Sequence, residues 1–391
     1  MLVDEPQISG SLWLDSGSAS DGAEHRWLWQ GLSSDVESPL LVDGPGQWNE
    51  ALDTIRTDLV ETPGAAGVPR WVGLISYEAG SLVEPAVGYA GHPDVMPLAM
   101  FWRHNGSSQE LSTEEGALPA AAAFPSPSVA DHERRIEDVR ARIGVGEIYQ
   151  ANLARRIDLS FDEPVKGLQL ARHLQHREQH CYSAWLRVGP ELAIVSLTPE
   201  CLLRGTFGKP EVWSYPIKGT AEPQADGLLG DPKERAEHVM IVDLVRNDLG
   251  RVARVGSVHV DPLLGTRDMR TLRHLESRIC AELAPGYDVF DALNALLPGG
   301  SITGAPKIQA TRVIADLEKR PRGPYTGALL TVDAAGQVVV SLLIRTLVLQ
   351  GSQGWLDVGG GIVWASDARQ EVQETRRKAL AHLDGMVSEI P

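Results

Sequence analysis

Cysteine is scarce: Cys181, Cys201 and Cys280 are the only three in 391 residues, they stand far apart, and none belongs to a CxxC pair. That spacing argues against a disulfide framework and a thiolate zinc site and leaves the three as small buried hydrophobes. Long apolar runs are missing as well. Stretches such as Val338 to Leu343 end far short of the roughly 20 residues that a membrane-spanning helix needs. The opening MLVDEPQISG has acidic residues but neither the basic start nor the apolar core of a secretory leader, so a cytoplasmic chain with no membrane partner is expected. Positive charge is in deficit: 36 Lys and Arg stand against 52 Asp and Glu, for a net charge of -16, and no basic block appears. A protein that tracks nucleic-acid phosphates needs the reverse balance, so no nucleic-acid partner is expected. A small anionic substrate must be met locally, by a few cations, a metal or backbone N–H groups set against an acidic background.

What is present is ample material for a large core: 43% of residues are hydrophobic, and 39 Gly and 25 Pro follow no collagen-like or repeat period. Residues 116–128, GALPAAAAFPSPS, are the one Pro/Ala/Ser-rich stretch and read as a linker. Before it, residues 1–115 form an α+β section. Strands are expected at Ser11–Leu14, Arg26–Gln30 and Trp71–Tyr77, with a helix carrying Trp48, Leu52, Ile55 and Leu59 on one stripe. After it, residues 129–391 form the larger domain. Helices are predicted over Asp131–Ile143, Pro232–Leu249, Asp288–Leu297, Ala305–Lys319 and Ala368–Val387. Strands are predicted at Glu147–Leu159, Tyr182–Val188, Leu192–Ser196, Val212–Ile217, Gly327–Val332, Val338–Leu349 and Trp355–Val363. Strands come in runs separated by single helices, which predicts an α+β fold with large antiparallel β-sheets.

Two helices each present glutamates three residues apart, Glu234 with Glu237 and Glu371 with Glu374. Such pairs share a helical face and can aim two carboxylates at one point, an arrangement that suits Mg²⁺, although for either pair alone a solvated, salt-bridged face is the commoner outcome. PGGSITGAPK, residues 298–307, sets two glycines, Ser301 and Thr303 before a helical run, which makes either an anion site or an ordinary cap. Gly359, Gly360 and Gly361 let a backbone approach a ligand closely or make a bulge. Arg345 interrupts the apolar run VVVSLLIRTLVL and needs an anionic partner, either a buried carboxylate or a ligand. Lys218, in SYPIKGT, could act as nucleophile or base, although a turn lysine on the surface is the commoner outcome. Glu200 and His274, taken singly, are a loop carboxylate and a satisfied histidine.

Together these segments resemble the chorismate-utilising family, which includes anthranilate, aminodeoxychorismate, isochorismate and salicylate synthases. The resemblance runs from about Ile148 to Leu383 and is carried by YQANLARR, TPE, PIKGT, ERAEHVMIVDLVRNDLGRV, PGGSITGAPK, the Tyr325 to Arg345 block and GGGIV followed by QEVQET. It implies a sandwich-like core of sheets flanked by helices, with the active site in the central cleft. It also implies a Mg²⁺ cofactor on Glu237 and Glu374, with Glu234 and Glu371 as second ligands or water-bridged partners. Gln150, Gly219, Thr220, Thr303, Tyr325, Arg345, Gly359, Gly360, Gly361 and Lys378 then stand at substrate-binding positions, with Arg345 on the enolpyruvyl carboxylate of chorismate. Glu200 becomes the general acid for the departing 4-hydroxyl, with His274 beside it.

Two positions separate the branches. Relatives that add water to the ring resemble one another in carrying a lysine base where this chain has Gln150. Anthranilate synthases usually show PIAGT, whereas Pro216-Ile217-Lys218-Gly219-Thr220 is the form of the aminodeoxychorismate synthases. The resemblance therefore implies 4-amination of chorismate, on the way to 4-aminobenzoate and folate. Lys218 would be the covalent catalyst, and a separate glutamine amidotransferase subunit would supply ammonia. An anthranilate or 2-amino-2-deoxyisochorismate synthase that carries Lys218, or a silent chorismate-binding subunit, are the alternatives. The front section matches less closely: LDSG at 14–17 and SYEAG at 76–80 only loosely resemble the segments that hold tryptophan in some relatives, and no feedback inhibition is expected.

Overall fold

The computed structural model describes residues 9–16, 27, 31–106, 108–109, 118–221, 232–268 and 273–390. Its helices are α1 (Pro45–Glu61), α2 (Gly80–Val83), α3 (Val129–Gly144), α4 (Gly167–Glu178), α5 (Pro232–Gly250), α6 (Val289–Leu296), α7 (Lys307–Glu318) and α8 (Ala368–Leu383). Two nine-stranded sheets and a three-stranded one complete the fold. Every named strand pair is antiparallel.

The first large sheet runs Gly304–Ala305, Gln150–Phe161, Gln353–Ile362, Thr346–Gln350, Leu192–Thr198, Tyr182–Arg187, Leu12–Asp15, Gly31–Ser33. The second runs His259–Val260, Ile279–Glu282, Glu211–Tyr215, Cys201–Thr206, Gln337–Leu342, Ala328–Asp333, Pro69–Ile75, Ala99–Arg103, Leu40–Val42. The small sheet joins Ile217–Ala221, Arg273–Glu276 and Gly265–Asp268.

Leu12, Leu14 and Ile194 of the first sheet meet Val72, Leu74 and Val339 of the second in one apolar layer, so the two sheets pack face to face. Both outer faces are covered by helices. Trp48, Leu52 and Ile55 of α1, Val245 of α5 and Phe290 of α6 pack on Val338 and Val340. Leu170 and Leu174 of α4 and Ala379 of α8 pack on Ile157, Val195 and Leu347. Val338 and Val340 face one layer and Val339 the other, which is why this stretch is apolar without interruption. The four α1 residues read as a stripe are all buried.

Four departures from the expected elements have physical causes. The run predicted as one strand over Val338–Leu349 is two strands in opposite sheets, Gln337–Leu342 and Thr346–Gln350. Apolar residues on both faces hide the change of sheet, and the corner is turned by Arg345 in the left-handed region at φ 51. Val212–Ile217 likewise divides at Pro216, with Glu211–Tyr215 in the second sheet and Ile217–Ala221 in the small one. Within the stretch read as a linker, Ala121–Ser126 is a strand hydrogen-bonded along Ser160 to Arg156 and neighbours; edge pairing uses backbone groups and needs little from its alanines. The front section supplies Pro69–Ile75, which pairs with Ala328–Asp333, and Leu12–Asp15, which pairs with Tyr182–Arg187. Of the strand expected at Arg26–Gln30 only Trp27 lies within the described residues. Helix α4 was not anticipated, because its Gln, His and Arg residues mask the buried Leu168, Leu170 and Leu174. No helix among the described residues is long and apolar enough to cross a membrane.

Candidate active site

The glycines at 359–361 lie in strand Gln353–Ile362, opposite Ala154, Leu153 and Asn152. Their missing side chains leave room for polar groups from three directions. A Cβ on Gly359 would lie 2.9 Å from Tyr325 Oη and 3.1 Å from Asn152 Oδ1. One on Gly360 would lie 3.3 Å from Glu371 Oε2, 3.8 Å from Glu374 Oε1 and 3.8 Å from Lys378 Nζ. One on Gly361 would sit 2.3 Å from Gln150 Nε2 and 3.6 Å from Glu237 Oε2. The fold therefore brings α5 and α8 to neighbouring residues of one glycine strand, and with them Glu237, Glu371 and Glu374. Glu234 lies in the first turn of α5, three residues ahead of Glu237.

Glu371 is buried, and Glu374 is paired with Lys378 at 2.6 Å. Lys378 Nζ also donates to the carbonyl of Gly359 at 2.8 Å, so one ammonium ties α8 to the glycine strand. These hard carboxylate oxygens, beside a cradle that a single Cβ would fill, fit a Mg²⁺ ion. Among the described residues, however, no group of three or more His, Cys, Asp or Glu side chains is gathered as a metal-holding set. The two helices present their glutamates to the same strand from separate positions.

A second centre forms around Ser301. Lys218 Nζ donates to the Ser301 carbonyl at 3.3 Å, and Asn152 Nδ2 donates to the same oxygen at 3.3 Å. The buried Glu200 carboxyl lies within the influence of the Ser301 side chain, the Lys218 charge and the Ile217 amide. Burial raises the pKa of Glu200 above the usual carboxylate range, against the pull of the Ser301 bond and the Lys218 charge. Lys218 owes its place to a bulge. The register steps from Lys218 opposite Leu275 to Thr220 opposite His274, and Gly219 takes φ 66 between them. His274 Nδ1 donates to the Gly219 carbonyl at 3.2 Å, and burial, with Arg345 nearby, holds its pKa down to about 3. It is a neutral imidazole that steadies the bulge.

Arg345 stands at the corner between the two large sheets. Its carbonyl accepts a bond from His382 Nε2 at 3.0 Å, and its Nη1 lies 3.5 Å from His180 Nδ1. Among the described residues it forms no ion pair, and burial pulls its pKa down to about 10. A guanidinium so placed has the capacity for an anionic ligand that the interrupted apolar run suggested.

Thr303 belongs to the turn itself. Its hydroxyl donates to the carbonyls of Gly299 at 2.9 Å and Gly300 at 3.3 Å, closing its own turn. The surrounding glycine-rich segment is not a helix start. It is a 3₁₀ turn at Gly300–Ile302, then Gly304–Ala305 paired with Ala151 and Gln150, and α7 begins only at Lys307. Gly304 is required there: φ is 149, and a Cβ would meet the Gln150 carbonyl at 2.2 Å. Gly304→Ala is expected to cost about 3 kcal/mol or more and to lower Tm by roughly 5 °C or more in thermal denaturation. A midpoint within about 1 °C of the parent would show that the backbone yields without strain.

Sequence reasoning missed the roles of Ser301, Asn152 and Arg322. The first two act through contacts between residues 83 and 149 positions apart, which no local pattern announces. Arg322 had a signal, a single arginine in the Gly/Pro stretch PRGPYTG just before Tyr325.

The family description that matches the chain is "chorismate binding enzyme", over residues 20–384. The chain belongs to the chorismate-binding enzyme family. Aminodeoxychorismate synthase component 1 of Bacillus subtilis is 35% identical over 285 residues, which cover 70% of this chain and 58% of that protein. Anthranilate synthase component 1 of Methanothermobacter thermautotrophicus is 33% identical over 348 residues, 81% of this chain and 74% of that one. The aminodeoxychorismate synthase component 1 of Escherichia coli is 33% identical, over 84% of this chain and 72% of its own length. The chain thus spans well under two thirds of the Bacillus relative. Among solved structures, anthranilate synthase component I from Streptococcus pneumoniae superposes with TM-score 0.74 at 24% identity, covering 98% of this chain and 94% of that one. A Bacillus anthracis protein described as a putative isochorismate synthase gives 0.76 at 18%, covering 98% and 97%. These likenesses establish the chorismate-binding fold and leave the choice of reaction to the site, since relatives named for two different reactions lie at nearly the same identity.

Proposed function

We propose that this member of the family is the chorismate-binding component of an aminodeoxychorismate synthase, replacing the 4-hydroxyl of chorismate with an amino group. The observation that carries the reading is that Lys218 and Glu200 meet at one residue: the amine donates to the Ser301 carbonyl, and the Ser301 side chain and the Lys218 charge both act on the buried Glu200 carboxyl. An amine nucleophile and a carboxyl whose pKa burial raises are the two groups that a covalent 4-amination requires.

In this reading Arg345 takes the enolpyruvyl carboxylate and Tyr325 and the glycine strand border the ring. The Lys218 amine adds at C2 as the double bonds shift and the C4–O bond breaks, and Glu200 gives its proton to the departing hydroxyl. Ammonia then adds at C4, the double bonds shift back, and the C2–N bond to Lys218 breaks, leaving the enolpyruvyl group in place. Gln150, an amide against Gly361, offers no base to activate water for attack on the ring. Mg²⁺, held by Glu237 and Glu374 with Glu234 and Glu371 behind them, would bind the ring carboxylate and stabilise charge drawn into it.

The relatives from Bacillus, Methanothermobacter and Escherichia are each named component 1, which supports a companion component for this chain. None of the three cysteines lies in a Gly-Cys-Gly elbow, so the companion proposed is a glutamine amidotransferase that delivers ammonia. The test is the purified chain with chorismate, Mg²⁺ and an ammonium salt, with products identified by mass spectrometry and fluorescence. The expected product is 4-amino-4-deoxychorismate. Anthranilate as the main product would overturn the reading, and no turnover even with an amidotransferase present would favour a silent subunit.

A further inference from the structure

Arg322 is almost fully buried, at 3% exposure, and all five of its N–H donors are engaged. Nε donates to Glu318 Oε2 at 2.9 Å and Nη2 to Glu318 Oε1 at 2.7 Å, a two-pronged ion pair. The second Nη2 proton goes to the Asn152 carbonyl at 2.6 Å. Nη1 donates to the Ile302 carbonyl at 3.1 Å and to Thr326 Oγ1 at 3.3 Å. The rings of Tyr77 and Tyr325 lie 4.7 Å and 5.8 Å from the guanidinium carbon. One planar cation therefore touches the strand opposite the glycines, the turn that carries Ser301, the Tyr325 corner and the front section at once. Asn152 and Ile302 are the residues that fix Ser301. The Asn152 amide bonds the Ser301 carbonyl, and Ile302 is its neighbour in the turn.

We propose that Arg322 is a positioning residue for the chorismate site: by holding the Asn152 and Ile302 carbonyls on a guanidinium fixed by Glu318, it sets the Ser301 turn that joins Lys218 to Glu200. It touches no reacting atom. Lysine cannot replace it, because three donors on a flexible stem cannot serve five acceptors in a planar fork. The front section takes part through Glu78 of the SYEAG segment. The Glu78 carboxylate accepts the Arg322 amide at 2.7 Å and the Gly323 amide at 3.0 Å, and Glu78 is flanked by the Tyr77 that stacks on the guanidinium.

The proposal deepens the reaction read above, and it is tested by a measurement that does not depend on which amine is made. In Arg322→Lys, chorismate consumption is expected to lose about 10²-fold in kcat with KM changed by less than about threefold, at a temperature where circular dichroism shows the variant folded. Isotope-edited infrared titration of the Glu200 carboxyl is expected to show its pKa raised in the same variant, because the Ser301 side chain that lowers it moves with its turn. That titration needs no turnover, so it decides the role of Arg322 even if the parent makes anthranilate or nothing, outcomes that would sink only the 4-amination reading. If Arg322→Lys does not fold, Asn152→Ser serves instead. It removes the amide donor to Ser301 while keeping the backbone carbonyl that Arg322 holds, and the same upward movement of Glu200 is expected. Parent-like kcat and an unmoved Glu200 titration in the folded variant overturn the proposal. So does a loss of activity that merely follows the folded fraction.

Discussion

On the proposed covalent 4-amination, Lys218→Ala is expected to lower kcat by about 10³-fold or more, because without that nucleophile its intermediate cannot form. The fold should tolerate the change. The lysine is only half-buried, its bond is to the Ser301 carbonyl, and Gly219 rather than Lys218 supplies the left-handed turn of the bulge. Ser301 keeps its second donor, the Asn152 amide, so the turn is not left without support. Tm should therefore stay within a few degrees while activity disappears, and this combination separates a chemical role from a structural one. The product mixture adds a sharper readout. An alanine at this position gives the PIAGT form, so any residual turnover with ammonia is expected to shift toward attack at C2. Mass spectrometry of the variant's products, alongside steady-state rates with ammonium salts, checks both points. An unchanged rate of 4-amino-4-deoxychorismate formation would eliminate the covalent role.

Mild acid is expected to unfold the protein through its histidines. Among the described residues six are buried and neutral: burial holds His104 and His238 to about 4, His132, His274 and His382 to about 3, and His180 well below its usual value. In the unfolded chain each titrates near 6.5. The folded state therefore binds fewer protons than the unfolded state between about pH 6.5 and pH 4. The stability these groups contribute is present above pH 6.5 and is lost as pH falls through that window. One pH unit below 6.5, six such groups together remove roughly 8 kcal/mol. Glu78 works the other way. Burial raises its pKa to about 7, so its contribution is largest below about pH 4.5 and fades as pH rises through 7. Between pH 7 and 5.5 it returns about 2 kcal/mol, which leaves a net loss comparable with the whole stability of an ordinary domain. Thermal unfolding at pH 7.5, 6.5 and 5.5 should show Tm falling by roughly 10 °C over the last step. A midpoint that holds steady to pH 5.5 would mean that these rings are not kept neutral by the fold.

The parts of the site that could be read in advance are those written in short, ordered segments. The paired glutamates, the three glycines, Lys218 beside its glycine and the lone Arg345 each carry a local signature, and the fold brings their segments into one region. The hidden parts depend on contacts between segments far apart in the chain. Ser301 read as part of either an anion site or a helix cap, because Gly and Ser before a helical run serve both; its bond to Lys218 and its place beside Glu200 exist only once the small sheet is laid against the turn. Thr303 shared the same signal, yet its hydroxyl closes the turn. The change of sheet at 343–345 was invisible because hydrophobic patterning reports burial and not which layer is buried against. Ala121–Ser126 escaped notice for the converse reason: a strand stabilised through its backbone need not show alternation in its side chains.

The corner at Arg345 has a mechanical meaning. Strands Gln337–Leu342 and Thr346–Gln350 are anchored in opposite sheets, and three residues of chain connect them. Any slide of one sheet over the other must be absorbed in that short tether, so shear between the layers is converted into displacement of the guanidinium. His382, at the far end of the helix that bears Glu371 and Glu374, grips the tether by its carbonyl. A tilt of α8 is thus geared to that corner, and whatever moves Glu371 and Glu374 also pulls on Arg345.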